Sequence, residues 1–278
     1  MPLWHYSNGM GFKATAFSRC GLGLLGGLGA ALILAGGCMT KTATAAPLAE
    51  IKARGHLVVA VKDNLYPLGF RNASSGELKG FEIELARQLA RSLFGSERSL
   101  VLVPVTNLER LDAVASGRVD IAIADLTVTE DRLQNVTFSE PYYRNGTGIL
   151  TKDPKLNRLH QLSRRAVAVL QPSITLPYLK SSLSTAQLVG VPSYAAAQQA
   201  LDNGQVQAIV GDRIVLSSLA AQMPQYYYFS TSLTVQPLAI ALGKGVQNEP
   251  LRQWINTQLH QLQQQGWLEQ QKQNWHLP

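Results

Sequence analysis

A chain of 278 residues, 46% hydrophobic and 15% charged, has the composition of an ordinary globular protein and length for two domains with a buried core each. The formal net charge is +7, of which Lys13 and Arg19 supply two, leaving +5 on the body after the leader. The positive charges are scattered, with Arg164-Arg165 the only adjacent pair, which argues against a nucleic-acid surface.

The chain opens with a short irregular stretch in which Met1 and Met10 are both candidate starts. Lys13 and Arg19 then precede an apolar, glycine-rich run from Gly21 to Gly37. Its length suits the core of an export signal and is short for a comfortable membrane span. The run ends in Leu34-Ala35-Gly36-Gly37-Cys38, which resembles a bacterial lipobox except that Ala35 stands where Leu is usual. Residues 1–37 are therefore read as a signal peptide, Cys38 as a lipidated N-terminus, and residues 38–48 as a tether. The competing cleavage site, Ala43-Thr44-Ala45, would release an unanchored protein. Both routes export the body, as would an uncleaved anchor. The two cysteines are Cys20 and Cys38, so the exported body is expected to lack disulfides, thiolate catalysis and cysteine metal sites.

After the tether, Ala49–Arg54 reads as a short helix ended by Gly55. His56–Val61 is a strand whose near-continuous apolar run suits a sheet covered on both faces. A loop with Asp63 and Tyr66 follows, then a turn region at Ser74–Lys79. Residues 80–93 form the clearest helix: Phe81, Leu85, Leu89 and Leu93 recur every four positions, and Glu82, Glu84, Arg87 and Arg91 are assigned to a solvated face. Ser99–Val105 is the next strand. A helix over Asn107–Ala115 is expected to turn Leu108, Leu111, Val114 and Ala115 inward.

Val119, Ile121 and Ile123 then alternate with Asp120, Ala122 and Ala124, the period of a strand. Its carboxyl end presents Asp125, Thr127 and Thr129. Thr129 suits an N-cap, with Glu130, Asp131 and Arg132 in the first turn of a short helix. A guanidinium beside hydroxyls and free backbone N–H groups matches a carboxylate, although an arginine so placed is, on local grounds alone, usually solvated or paired with a neighbouring acid.

The pattern restarts with strands at Thr147–Thr151, Ala166–Leu170, Gln187–Val191 and Val206–Val210, the last leading to Gly211-Asp212. Helices follow Ser173, Ser193 and Ile214. Strands at Tyr226–Phe229 and Leu238–Leu242, then helices over Leu251–Gln265 and Trp267–Trp275, complete the chain. Two α/β units are predicted, each with polar residues at the carboxyl ends of its strands, where such sheets bind ligands. Asp63, Tyr66, Thr127 and Arg132 belong to the first unit, Ser173 and Asp212 to the second. A cleft that can close between two lobes follows.

The motifs Gly80-Phe81-Glu82-Ile83-Glu84-Leu85-Ala86, Ser116-Gly117-Arg118-Val119-Asp120, Leu126-Thr127-Val128-Thr129-Glu130-Asp131-Arg132 and Phe138-Ser139-Glu140-Pro141-Tyr142-Tyr143 occur in that order. Val206–Asp212 and the Gly266–Trp275 ending complete the set. Over residues 50–278 the chain resembles the bacterial extracellular solute-binding proteins of family 3, the polar amino acid receptors of ABC importers. The resemblance implies a periplasmic-binding-protein-like type II fold: lobe 1 from 49–143 plus 237–278, lobe 2 from 144–236, and two crossings that form a hinge. It implies that Arg132 and Thr127 hold the ligand's α-carboxylate, Asp212 takes the α-ammonium, Tyr66 stacks on the side chain with Leu108 near it, and the backbone at Ser173 and Ile174 makes the second lobe's carboxylate contact. It also implies a membrane permease as partner, a monomer, and no cofactor or metal.

Three positions depart from the family pattern: Asp125 replaces a small residue, Pro172 a glycine, and Leu170 a polar side chain. Asp63 and Asp125 together would favour a cationic ligand, unless Asp63 only caps its own loop. The competing reading is an enzyme: a cyclohexadienyl or arogenate dehydratase on the same scaffold, which needs a positioned acid or base. Asp63 or Asp125 are the candidates, since the five histidines fall outside the predicted cleft loops.

Overall fold

The computed structural model describes residues 46–278. The signal peptide, both cleavage sites and the lipidation of Cys38 lie outside the described residues, as does most of the tether.

The first half runs α1 (Leu48–Arg54), β1 (Leu57–Val61), β2 (Asn64–Leu65), β3 (Gly69–Arg71), β4 (Leu78–Lys79), α2 (Phe81–Phe94), β5 (Leu100–Pro104), α3 (Glu109–Ala115), β6 (Ile121–Ile123) and α4 (Glu130–Leu133). A 16-residue strand, β7 (Val136–Thr151), leads into the second half. There follow β8 (Ala166–Leu170), α5 (Thr175–Ser182), β9 (Gln187–Val191), α6 (Tyr194–Asp202), β10 (Ala208–Asp212) and α7 (Arg213–Gln222). The 17-residue β11 (Tyr227–Gly243) returns to the first half, where α8 (Glu249–Gln264) and α9 (Trp267–Asn274) pack. Among the described residues no helix is long and apolar enough to cross a membrane.

One eight-stranded sheet carries both halves in the order β5-β1-β6-β11-β7-β10-β8-β9. On one side β1 lies parallel between β5 and β6; on the other, β8 lies parallel between β10 and β9. These are the two α/β lobes. The long antiparallel pair β7 and β11 joins them. β11 meets β6 through Ala241 and Leu242, whereas β7 meets β10 through Thr147–Thr151. The two long strands stay paired with each other while β6 borders β11 in one half and β10 borders β7 in the other, so the chain crosses between the lobes twice.

Three shorter strands were expected where these two run through. Pro141 and Pro237, which lack a ladder donor, explain the difference. The ladder accommodates them with register shifts at Thr231/Val235, Leu238/Ala239 and Ala239/Ala241. A proline beside a bulge removes no required hydrogen bond. At Pro237 the carbonyl still works, accepting from Val128 N–H at 3.0 Å.

The helix faces follow periodicity with two instructive exceptions. In α2, Phe81, Ile83, Leu85, Ala86 and Leu89 are buried as the four-residue spacing requires, but Glu82 is also fully buried and not on a solvated face. It shares the 82–86–89 stripe, and the helix enters beneath the sheet's carboxyl edge. In α3 the buried face is Arg110, Ala113 and Val114, while Leu108 is 74% exposed. The helix begins two residues later than expected, so Leu108 caps it rather than packing inward. Gly80, with φ 133°, lets α2 begin against the Leu68 carbonyl; a Cβ there would lie 2.2 Å from that oxygen, so only glycine fits.

Candidate functional site

The site is assembled at the carboxyl ends of β6 and β10, one from each lobe. After β6 the backbone turns sharply at Asp125, whose φ of 54° is the left-handed region. Two buried charges hold that turn. Arg110 Nη1 donates to the carbonyls of Ala124 (2.7 Å) and Asp125 (2.8 Å). Glu82 Oε1 accepts from Asp125 N–H at 2.8 Å and from the Tyr142 hydroxyl. Burial raises the Glu82 carboxyl above its usual range although both donors oppose the shift; its other oxygen has no partner.

Four residues on, Thr129 caps α4 by accepting from Arg132 N–H at 3.3 Å, as the sequence predicts. The cap sets Arg132 facing back over the strand end, where Nη1 donates to the Thr127 carbonyl at 2.7 Å. Among the described residues the remaining guanidinium donors have no partner and are available to a ligand. Burial, then the nearby Arg110 cation, lowers the Arg132 pKa to about 10, so it stays charged at neutral pH.

The other lobe contributes Asp212, which ends β10 and begins α7. Tyr194 fixes it twice: the tyrosine hydroxyl donates to Asp212 Oδ2 at 3.0 Å and accepts from Asp212 N–H at 2.8 Å. Gly211 makes room for this ring, since a Cβ would lie 2.5 Å from the hydroxyl oxygen. The Asp125 and Asp212 carboxyls face the same cavity from opposite lobes. Burial first, and then the Asp212 charge, pushes Asp125 well up; burial also raises Asp212.

These side chains enclose one cavity. Asp125, Thr127, Arg132 and Arg110 line it from lobe 1; Ser173, Ile174 and Asp212 line it from lobe 2, and Gln236 from the crossing strand. Its volume is about 20 Å³, room for roughly one water. The lobes are thus nearly shut.

Of the residues singled out by sequence, Arg132, Thr127, Asp125, Asp212, Ser173 and Ile174 converge here. Leu108 lies outside, on an apolar recess at the mouth shared with Pro172, Leu176 and Pro192. Tyr66 is 38% exposed and packs edge-on against Phe70, centroids 5.0 Å apart; it does not line the cavity. Asp63 turns to Arg71 at 3.8 Å and is also absent from the lining. Glu82, Arg110 and Tyr194 went unrecognised. A charge inside an otherwise apolar helical stripe was the available signal for the first two; Tyr194 carried none. Among the described residues no group of three or more His, Cys, Asp or Glu side chains is arranged to hold a metal ion.

Comparison with known proteins bears on the fold and the family. The family model described as bacterial extracellular solute-binding proteins, family 3, matches residues 57–278. A glutamine-binding protein of Geobacillus stearothermophilus is 31% identical over 203 residues, covering 72% of this chain and 78% of that protein. An L-cystine-binding protein of Escherichia coli is 27% identical over 253 residues, covering 90% and 93%. The crystal structure of an ancestral amino acid-binding protein, a precursor of cyclohexadienyl dehydratase, superposes with a TM-score of 0.74 at 29% identity, covering 82% of this chain and 98% of that one.

Proposed function

The chain belongs to the bacterial extracellular solute-binding proteins of family 3, and on that premise we propose that it is the receptor of an ABC importer that binds a polar amino acid between its lobes and delivers it to a membrane permease. The observation that carries this reading is that the Arg132 guanidinium and the Asp125 carboxyl of lobe 1 line one cavity with the Asp212 carboxyl of lobe 2. That is the complement of a zwitterion. Arg132 and Thr127 take the α-carboxylate, joined by the backbone of Ser173 and Ile174. Asp212 takes the α-ammonium, with Asp125 as a second acid from the facing lobe. Both ligand charges must be paired, because a buried lone charge is costly.

A cavity of about 20 Å³ admits no amino acid, so binding requires the lobes to part. Lobe 1 is assigned to 49–143 plus 237–278 and lobe 2 to 144–236, with the hinge in β7 and β11 between the stretches that border β6 and β10. A ligand touching both lobes favours the closed state by its differential contacts. The protein acts outside the cytoplasm as a monomer, anchored through lipidated Cys38, and carries no catalytic function.

Calorimetric titration of protein stripped of ligand by unfolding and refolding tests this. Saturable binding of a few amino acids is expected, weakened about a hundred-fold or more in Arg132→Ala and in Asp212→Asn. Binding indifferent to both substitutions would exclude the zwitterion clamp. The facing acids Asp125 and Asp212 also suit a dehydratase acid; consumption of prephenate or arogenate would replace the receptor reading, and their recovery unchanged is expected.

A further inference from the structure

Past Leu170, which lines both spaces, the cleft continues into a recess formed by Lys62, Asn64 and Asn107 of lobe 1 and by Ser193 and Tyr194 of lobe 2. Lys62 follows β1 and is 3% exposed. Its Nζ donates to the Val105 carbonyl at 3.1 Å. An ammonium has three N–H donors, so two are left over. None of the ion pairs among the described residues involves Lys62. Charged groups around it are Arg110, Asp125, Asp63 and Glu82, but Asp63 turns to Arg71, Glu82 to Asp125 and Tyr142, and Asp125 faces Asp212. The other groups of the recess add donors: the amides of Asn64 and Asn107, and the Ser193 hydroxyl proton, whose oxygen already accepts from Ala196 N–H at 3.1 Å.

We propose that Lys62 is a specificity-determining residue: the recess receives the side chain of the bound amino acid and selects one ending in a hydrogen-bond acceptor, a carboxylate or carboxamide, against lysine and arginine. This rests on the amino-acid reading above. A side-chain carboxylate supplies the counter-charge that the buried ammonium lacks, and a carboxamide oxygen satisfies its donors. A cationic side chain would instead set a third positive charge beside Lys62 and Arg110. The expectation of a cationic ligand from Asp63 and Asp125 therefore gives way here, because neither acid faces this recess.

The test is titration of the ligand-stripped protein with glutamate, glutamine, norvaline, alanine, lysine and arginine, repeated with Lys62→Met. Glutamate or glutamine should bind at least about ten-fold tighter than norvaline, which has the length without the acceptor, and lysine and arginine should bind more weakly than norvaline. Lys62→Met should abolish the acceptor advantage while norvaline affinity stays within about three-fold. If Lys62→Met does not fold, the wild-type ranking stands alone as the test, with Asn107→Ala expected to narrow it. Alanine and norvaline binding without an acceptor preference, or tighter binding of lysine or arginine, overturns the role of Lys62 and leaves the receptor reading intact. Absence of binding by every amino acid overturns both.

Discussion

Asp125 brings a second carboxylate to a place where Asp212 already supplies one, and the consequence is a proton. In the shut cleft both carboxyls are raised above the usual 3.8, Asp125 furthest: burial raises both, and the Asp212 charge adds to the rise of Asp125. A carboxyl raised in the shut, ligand-free form stabilises that form at acid pH, and the contribution is lost as pH rises through the raised range. A ligand ammonium reverses the sign, since it needs both acids ionised. Amino-acid affinity should therefore fall on acidification, beginning above the ordinary carboxylate range, by at most about ten-fold per pH unit for one proton. Titrations at a series of pH values check this. Asp125→Asn removes the repulsion and should move the fall to lower pH; a profile identical to wild type would mean the two acids do not share the site. The arginine is insensitive over this range, its pKa being about 10.

At the scale of elements, the binding turn is only as rigid as what holds it from behind, and α2 does so through Glu82. Glu82→Ala would leave Asp125 N–H and the Tyr142 hydroxyl without a buried acceptor, a loss of about 2–4 kcal/mol. Glu82→Gln keeps an acceptor and should lose much less. Denaturant midpoints of the two variants decide it: equal midpoints would remove Glu82 from any role in positioning the turn. The same residue marks where the sequence was legible and where it was not. Hydrophobic spacing located α2, β1, β8 and the Thr129 cap, because those signals are local. It put Glu82 on the solvated face and Leu108 in the core, because a period of four does not say which end of a helix dips under a sheet edge, nor at which residue the helix begins. Arg132, Thr127 and Asp212 were legible because strand ends in α/β sheets gather ligand groups. Lys62, Arg110 and Tyr194 were not, since only the folded arrangement brings their polar ends to the crevice.

For the whole molecule, the proposed receptor cycle makes the two crossings the place where ligand energy becomes motion. At the crossing, Gln236 Nε2 donates to Thr147 Oγ1 at 3.1 Å and to Thr234 Oγ1 at 3.0 Å, and Thr147 bonds Thr234 at 2.7 Å. Gln236 is 1% exposed and also lines the cavity. Cavity lining and inter-strand bonding thus share one side chain. A ligand that bridges the lobes stabilises the folded chain as a whole: at a hundred times its Kd the gain is about 2.7 kcal/mol. With about 2–4 °C per kcal/mol for a body of this size, Tm should rise by roughly 5–10 °C. Scattering should show a smaller radius of gyration on binding, since ligand-free molecules include open ones. Gln236→Leu removes two of these three bonds with little change in volume, so it should reduce the compaction while leaving part of the thermal gain, which also draws on Arg132 and Asp212. Arg132→Ala should lose both. A ligand that raises Tm in Arg132→Ala as in wild type, or that raises it with no compaction, would show binding outside the cleft, and the lobes would then have no part in recognition.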